Sequence, residues 1–103
     1  MALPPFRDHR IPPTDAAALT RRHREDRPQA HRGGMFHAKA VLDLLAQQGC
    51  AGLRYYFGRN ADGTPTLVLV GVDSTGDDMA TGTVLEWSFP CPPFCTASND
   101  LSP

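Results

Sequence analysis

Proline is the strongest constraint on this chain. The first thirteen residues, MALPPFRDHRIPP, contain two Pro-Pro pairs, and everything after Phe89 reads PCPPFCTASNDLSP. Proline fixes φ, lacks an N–H and denies helix to the residue before it, so both ends are predicted to be extended arms. Regular structure must therefore lie between them. Ten prolines and nine glycines in 103 residues leave room for one core of ordinary domain size.

Within that window the first helical signal is Thr14 as N-cap, Asp15 in the first turn and AAAL behind it. This predicts a helix from Asp15 to Asp26, closed by Pro28. Its apolar face, Ala16, Leu19 and His23, is narrow, and such a helix buries little. After a flexible Gly33-Gly34 junction, Ala38, Val41, Leu42 and Leu45 recur at i, i+3, i+4 and i+7, with Leu44 widening the stripe. This second helix is predicted over Met35 to Gln48, with Gly49 as the left-handed residue that ends it.

From Leu53 the period changes to two. Leu53, Tyr55 and Phe57 point one way, as core, and Arg54 and Tyr56 the other. Asn60 to Gly63 supplies a turn, and Thr66 to Val72 (TLVLVGV) is apolar on both faces, as in a central strand. A third strand is predicted over Thr83 to Phe89. The fold class that follows is α+β: a three-stranded antiparallel meander packed by one main helix, with an N-terminal basic helix and proline-rich arms. The division is 1–32 as arm and basic helix, 33–90 as compact domain, and 91–103 as cysteine- and proline-rich tail. Tyr56 and Trp87 are left for a second buried face.

Charge is unevenly distributed. Residues 1–32 balance at +3 and residues 33–103 at −4, giving the net −1. A basic arm on an acidic body can dock on itself, on another copy or on an outside polyanion. Arginines 21, 22, 24, 27 and 32 make nucleic acid one candidate partner, but Glu25 and Asp26 interrupt the cluster, and an acidic body repels the same backbone. The opening residues lack the apolar run of a secretory signal, and the longest apolar stretch, Leu67 to Val72, is too short for a membrane helix. A cytoplasmic protein is predicted, with no membrane partner.

Cys91-Pro-Pro-Phe-Cys95 is the most distinctive peptide. It could contribute half of a tetrahedral zinc site completed by Cys50 and one of His9, His23, His31 or His37, with His37 taken as the fourth ligand, form a local disulfide, or be small buried thiols beside Phe94. The odd cysteine count and a cytoplasmic setting favour reduced thiols. The loop Asp73 to Asp78 gathers three carboxylates around a glycine but lacks the EF-hand spacing, and reads as a turn. No nucleophile setting, phosphate loop or HExxH helix is present, so no enzyme is predicted.

The motifs GMF, LLAQQGCAG, RYYFG, LVLVGVD and PCPPFC with Asn99 and Leu101 span residues 34–101. In these the chain resembles a family of small bacterial proteins with no assigned activity. The resemblance implies that the Cys50-Ala-Gly turn and the cysteine tail belong to one design, and it transfers no site residue.

The functional expectation is a non-enzymatic structural protein that forms homo-oligomers or filaments through its arms, with Leu3, Phe6, Ile11, Arg21, Arg24, Phe94 and Leu101 as the interface. The alternatives are a metal- or ligand-binding regulatory module built on the cysteine tail, and nucleic-acid binding by the arginine helix.

Overall fold

A computed structural model describes residues 2–86 and 88–103. The fold is α+β, with α1 at Pro13–Asp26, β1 at Gly33–Met35, α2 at Ala38–Leu45, β2 at Cys50–Arg59, β3 at Pro65–Asp73, β4 at Val84–Leu85 and β5 at Phe89–Cys91. The chain divides into two compact units: Met1–Phe6 with Phe36–Ser88, and Arg7–Met35 with Phe89–Pro103.

The first unit is an antiparallel sheet in the order β2-β3-β4, with α2 packed against all three strands. The β2–β3 hairpin closes where the sequence places it. Asn60 N–H donates to Thr64 O, Asp62 Oδ1 accepts from both the amide and the hydroxyl of Thr64, and Gly63 takes the φ of 91° that the turn requires. Register runs from Arg59 opposite Pro65 to Gly52 opposite Val72, with a bulge between Cys50 and Gly52. The central strand β3 carries Leu69, Val70 and Val72, which with Leu44 of α2 form the buried apolar core of the described residues.

Three expectations for this unit are corrected. The second helix is shorter than predicted at both ends, because Met35 is in β1 and His37, with extended backbone, precedes the first helical residue, while the last is Leu45, capped by Ala46, so that Gln48 and Gly49 lie in the turn before β2. Its inward side is also different. Ala40, Val41, Leu44 and Gln47 are half-buried or buried, whereas Leu42 and Leu45 of the predicted stripe are exposed. The polar Gln47 is what turns the helix. Its Nε2 donates to Leu44 O at 2.7 Å and its Oε1 accepts the Thr83 amide at 2.8 Å, tying the helix end to the loop before β4.

The third correction concerns Leu53, Tyr55 and Phe57, predicted to face the core but exposed, Tyr55 by 59% and Phe57 by 84%. A helix of eight residues is about 12 Å long, while a strand of ten residues extends about 33 Å. The helix is too short to roof the whole strand.

The predicted third strand, Thr83 to Phe89, is also divided. Val84 and Leu85 pair with Val70 and Leu69 as β4, and Trp87 lies outside the described residues. Phe89–Cys91 instead pairs with Gly33–Met35 in a separate two-stranded sheet within the second unit. Both strands of such a ribbon are edges, where Pro90 is tolerated, and Gly33-Gly34 is a strand and not a loose junction.

The second unit also contains α1. It begins one residue before Thr14, with Pro12 as cap and Pro13 at the first helical position, where a fixed φ suits the helix and the missing N–H costs nothing. As its narrow apolar face implied, α1 has no buried residue. Arg24 Nη1 donates to Leu101 O at 2.7 Å and Arg32 Nη1 to Ser102 Oγ and Pro103 O, which joins the N-terminal segment to the tail.

Candidate association surface

Of the predicted zinc ligands, Cys91 and Cys95 are bonded to each other, which corrects the expectation of reduced thiols. The intervening peptide folds back through Phe94 N–H to Pro90 O and Cys95 N–H to Pro93 O, bringing the two Cα atoms to 4.8 Å, well inside disulfide range. Neither sulfur then offers a thiolate to a metal. Cys50 belongs to the other unit, where its thiol donates to Gly52 O, and His37 of the same unit stands immediately before α2. Among the described residues no group of three His, Cys, Asp or Glu side chains is placed to hold a metal ion.

The acidic loop is a self-contained turn. Asp73 Oδ1 accepts the amide and hydroxyl of Thr75 and the amide of Asp77, and these bonds, the Thr75 hydroxyl first, hold its carboxyl below the usual range. Asp78 receives the Tyr56 hydroxyl on one oxygen and the Arg54 guanidinium on the other. The Tyr56 bond, with Arg54 behind it, lowers the Asp78 pKa, and the same bond raises that of the phenol. Tyr56 is thus fixed by its hydroxyl on the sheet face opposite Tyr55.

The predicted interface residues are divided between the units. Leu3 and Phe6 belong to the first, with Phe6 92% exposed; Ile11, Arg21, Arg24, Phe94 and Leu101 belong to the second. Phe94 meets Phe89 edge-on at 5.3 Å between ring centroids. Arg24 is held by the tail carbonyl within its own chain, and Arg21 stays exposed.

Sequence reasoning missed the outer side of β2. In an antiparallel ladder, alternate residues direct both backbone groups at the partner strand and the residues between direct theirs away. Asn60 N–H points to β3, at Thr64 O, so Gly58, Tyr56 and Arg54 do likewise in the regular register. Met79 N–H bonding Gly71 O confirms the same parity across β3, whose odd-numbered residues face the β4 side. The outward groups of β2 therefore belong to Leu53, Tyr55, Phe57 and Arg59, and no strand among the described residues pairs with them. Three of these four also carry the exposed apolar side chains, with Tyr55 and Phe57 in a T-shaped contact at 5.6 Å. A free edge and a free apolar face coincide on the same residues.

Natural sheets protect an edge by keeping it short, by proline, by lysine or by a cover. The stretch Leu53–Arg59 has neither proline nor lysine. Arg54 is turned to Asp78, and Arg59 donates to Gly63 O at 2.8 Å within the hairpin turn. The bulge lies beyond Leu53, outside this stretch.

Comparison of the chain with family models, with curated proteins and with solved structures finds no match in any of the three. Within the described residues, no helix is long and apolar enough to cross a membrane.

Proposed function

We propose that this chain is a non-enzymatic structural protein that associates with copies of itself. One observation carries the reading. Among the described residues four apolar side chains are buried, while fifteen large ones stay exposed. Scattered exposed apolar residues are ordinary, but residues contiguous along an unprotected strand are a characteristic of association surfaces. Phe6 is a further exposed apolar residue of the same unit, and Ile11, Phe94 and Leu101 are exposed on the other unit. Arg24 and Arg32 add little, because their guanidinium groups already hold the tail.

Light scattering of the full chain over a range of concentrations tests the reading. A mass above that of one chain, retained in about 1 M salt where exposed ion pairs are screened, is the expected result. A mass of 11.2 kDa at every concentration refutes it. Dissociation by salt would instead move the contact to the basic arm.

A further inference from the structure

We infer that two copies of the chain join edge to edge through β2, antiparallel, about a two-fold axis passing beside Tyr56, so that their sheets become continuous. The inference rests on the self-association proposed above and identifies where it occurs.

The register follows from which backbone groups are free. A two-fold axis perpendicular to the sheet requires opposed residue numbers to add to a constant, and hydrogen-bonded pairs must be drawn from Leu53, Tyr55, Phe57 and Arg59. With the axis at Tyr56, Leu53 meets Arg59 of the second copy and Tyr55 meets Phe57. Each of these pairs, with its symmetry mate, exchanges both of its bonds. None of the four residues is left unpaired. Moving the axis to Tyr55 sets Arg59 against Ala51, at the bulge. Moving it to Phe57 sets Leu53 against Ala61, in the hairpin turn. Either shift leaves outward groups without partners.

Side chains agree with that register. Tyr55 and Phe57, the most exposed large apolar residues of β2, come directly opposite one another twice, in the cross-strand aromatic pairing that sheets favour. Arg54 lies opposite Gly58 and Arg59 opposite Leu53, so neither cation faces another, and Leu53–Arg59 has no further charge. The chemistry of the edge matches itself, which favours a second copy over an acidic or basic peptide. The two rings, at 150–250 Å² each when buried, bring roughly 300 Å² per copy at their present exposure. That is well below the roughly 800 Å² per partner of a standard interface, so the contact is a weak one, best detected by trapping.

The axis makes the trap specific. Tyr56 faces its own mate as a non-hydrogen-bonded pair, with Cα atoms about 4.5 Å apart, inside the range a disulfide spans. Two copies of Leu53 are six residues out of register, about 20 Å apart. In the full chain carrying Cys50→Ala, Tyr56→Cys is expected to give a covalent dimer on mild oxidation, and Leu53→Cys none. Phe57→Lys, at an exposed position and checked for an intact fold by circular dichroism, is expected to bring the scattering mass down to that of the single chain, 11.2 kDa. Cross-linking through Leu53 in place of Tyr56, or an unchanged mass in Phe57→Lys, overturns the inference while leaving self-association standing. A wild-type chain that is monomeric throughout, with no cross-link at Tyr56, removes both.

Discussion

Leu42 and Leu44 sit two positions apart on α2, and the structure assigns them opposite fates: Leu44 is 0% exposed and Leu42 is 62% exposed. Replacing Leu44 by alanine removes three buried carbons. At about 0.8 kcal/mol each this costs about 2.4 kcal/mol, and the cavity left behind raises the loss to about 3 kcal/mol. Leu42→Ala removes the same carbons from a site already mostly in water, and alanine's better helix propensity offsets part of the rest. Its cost is about 0.5 kcal/mol or less. A unit of some sixty residues has a stability of only about 3–9 kcal/mol at ordinary per-residue values, so the first substitution brings it close to unfolding. Urea denaturation followed by far-ultraviolet circular dichroism is the direct comparison, with a midpoint shift for Leu44→Ala several times that for Leu42→Ala and similar slopes. In thermal melts a difference of about 2.5 kcal/mol separates the variants by roughly 10–20 °C. If Leu42→Ala costs as much as Leu44→Ala, the helix faces the sheet with the stripe read from sequence, and the orientation set by Gln47 is wrong.

Gly82→Ala should act through Gln47, since a methyl group there runs into Gln47 Oε1. The loss of the Thr83 bond costs about 1 kcal/mol, and a double mutant with Gln47→Ala should cost less than the two single changes added. Tyr56 should ionise above the ordinary phenol range, and Asp78→Asn should bring it back down, as followed by ultraviolet absorbance. A raised folded pKa means that this contribution to stability is present below the unfolded phenol value, about pH 10, and is lost as pH rises through the folded one. Asp73 and Asp78 run the other way. Their lowered pKa values stabilise the fold above the unfolded carboxyl value, about pH 4, and that contribution disappears as pH falls through the folded values, which NMR titration of the two carboxyls would follow. Thiol titration of the unfolded, unreduced chain should find Cys50 alone reactive, with Cys91 and Cys95 appearing after reduction.

The parts of the fold legible in the sequence are those governed by short-range chemistry. The Asn60–Thr64 turn, the positive φ of Gly49 (86°), which lies in the turn before β2 and not at the end of α2, and the two-sided burial of β3 all follow from a few neighbouring residues. The face of α2 was not legible. An apolar count favours Leu42 and Leu45, and the decisive residue is a glutamine whose two hydrogen bonds lie 3 and 36 positions away in the chain. A periodicity reading weighs Gln47 as solvent-facing and so rotates the helix. The pairing of Phe89–Cys91 with Gly33–Met35 was hidden for a related reason, because it joins segments more than fifty residues apart through two glycines and a proline that each argue locally against a strand.

The candidate surface shows a different limit. Alternation correctly sets Leu53, Tyr55 and Phe57 on one side of β2 and Arg54 and Tyr56 on the other. It says nothing about whether a layer covers the first side, which depends on the length of α2. The free edge of β2 is nonetheless legible in the sequence, since the first strand of a three-stranded meander is an edge whatever its composition. Side-chain direction and backbone hydrogen-bond direction both alternate with period two in a strand. The residues that expose apolar side chains on β2 are consequently the same residues that expose backbone donors and acceptors. Had the hairpin closed with the other parity, the outward backbone groups would have belonged to Arg54, Tyr56 and Gly58. Two of those have side chains directed at Asp78 and the third has none, and the edge would have carried no face for a second copy to match.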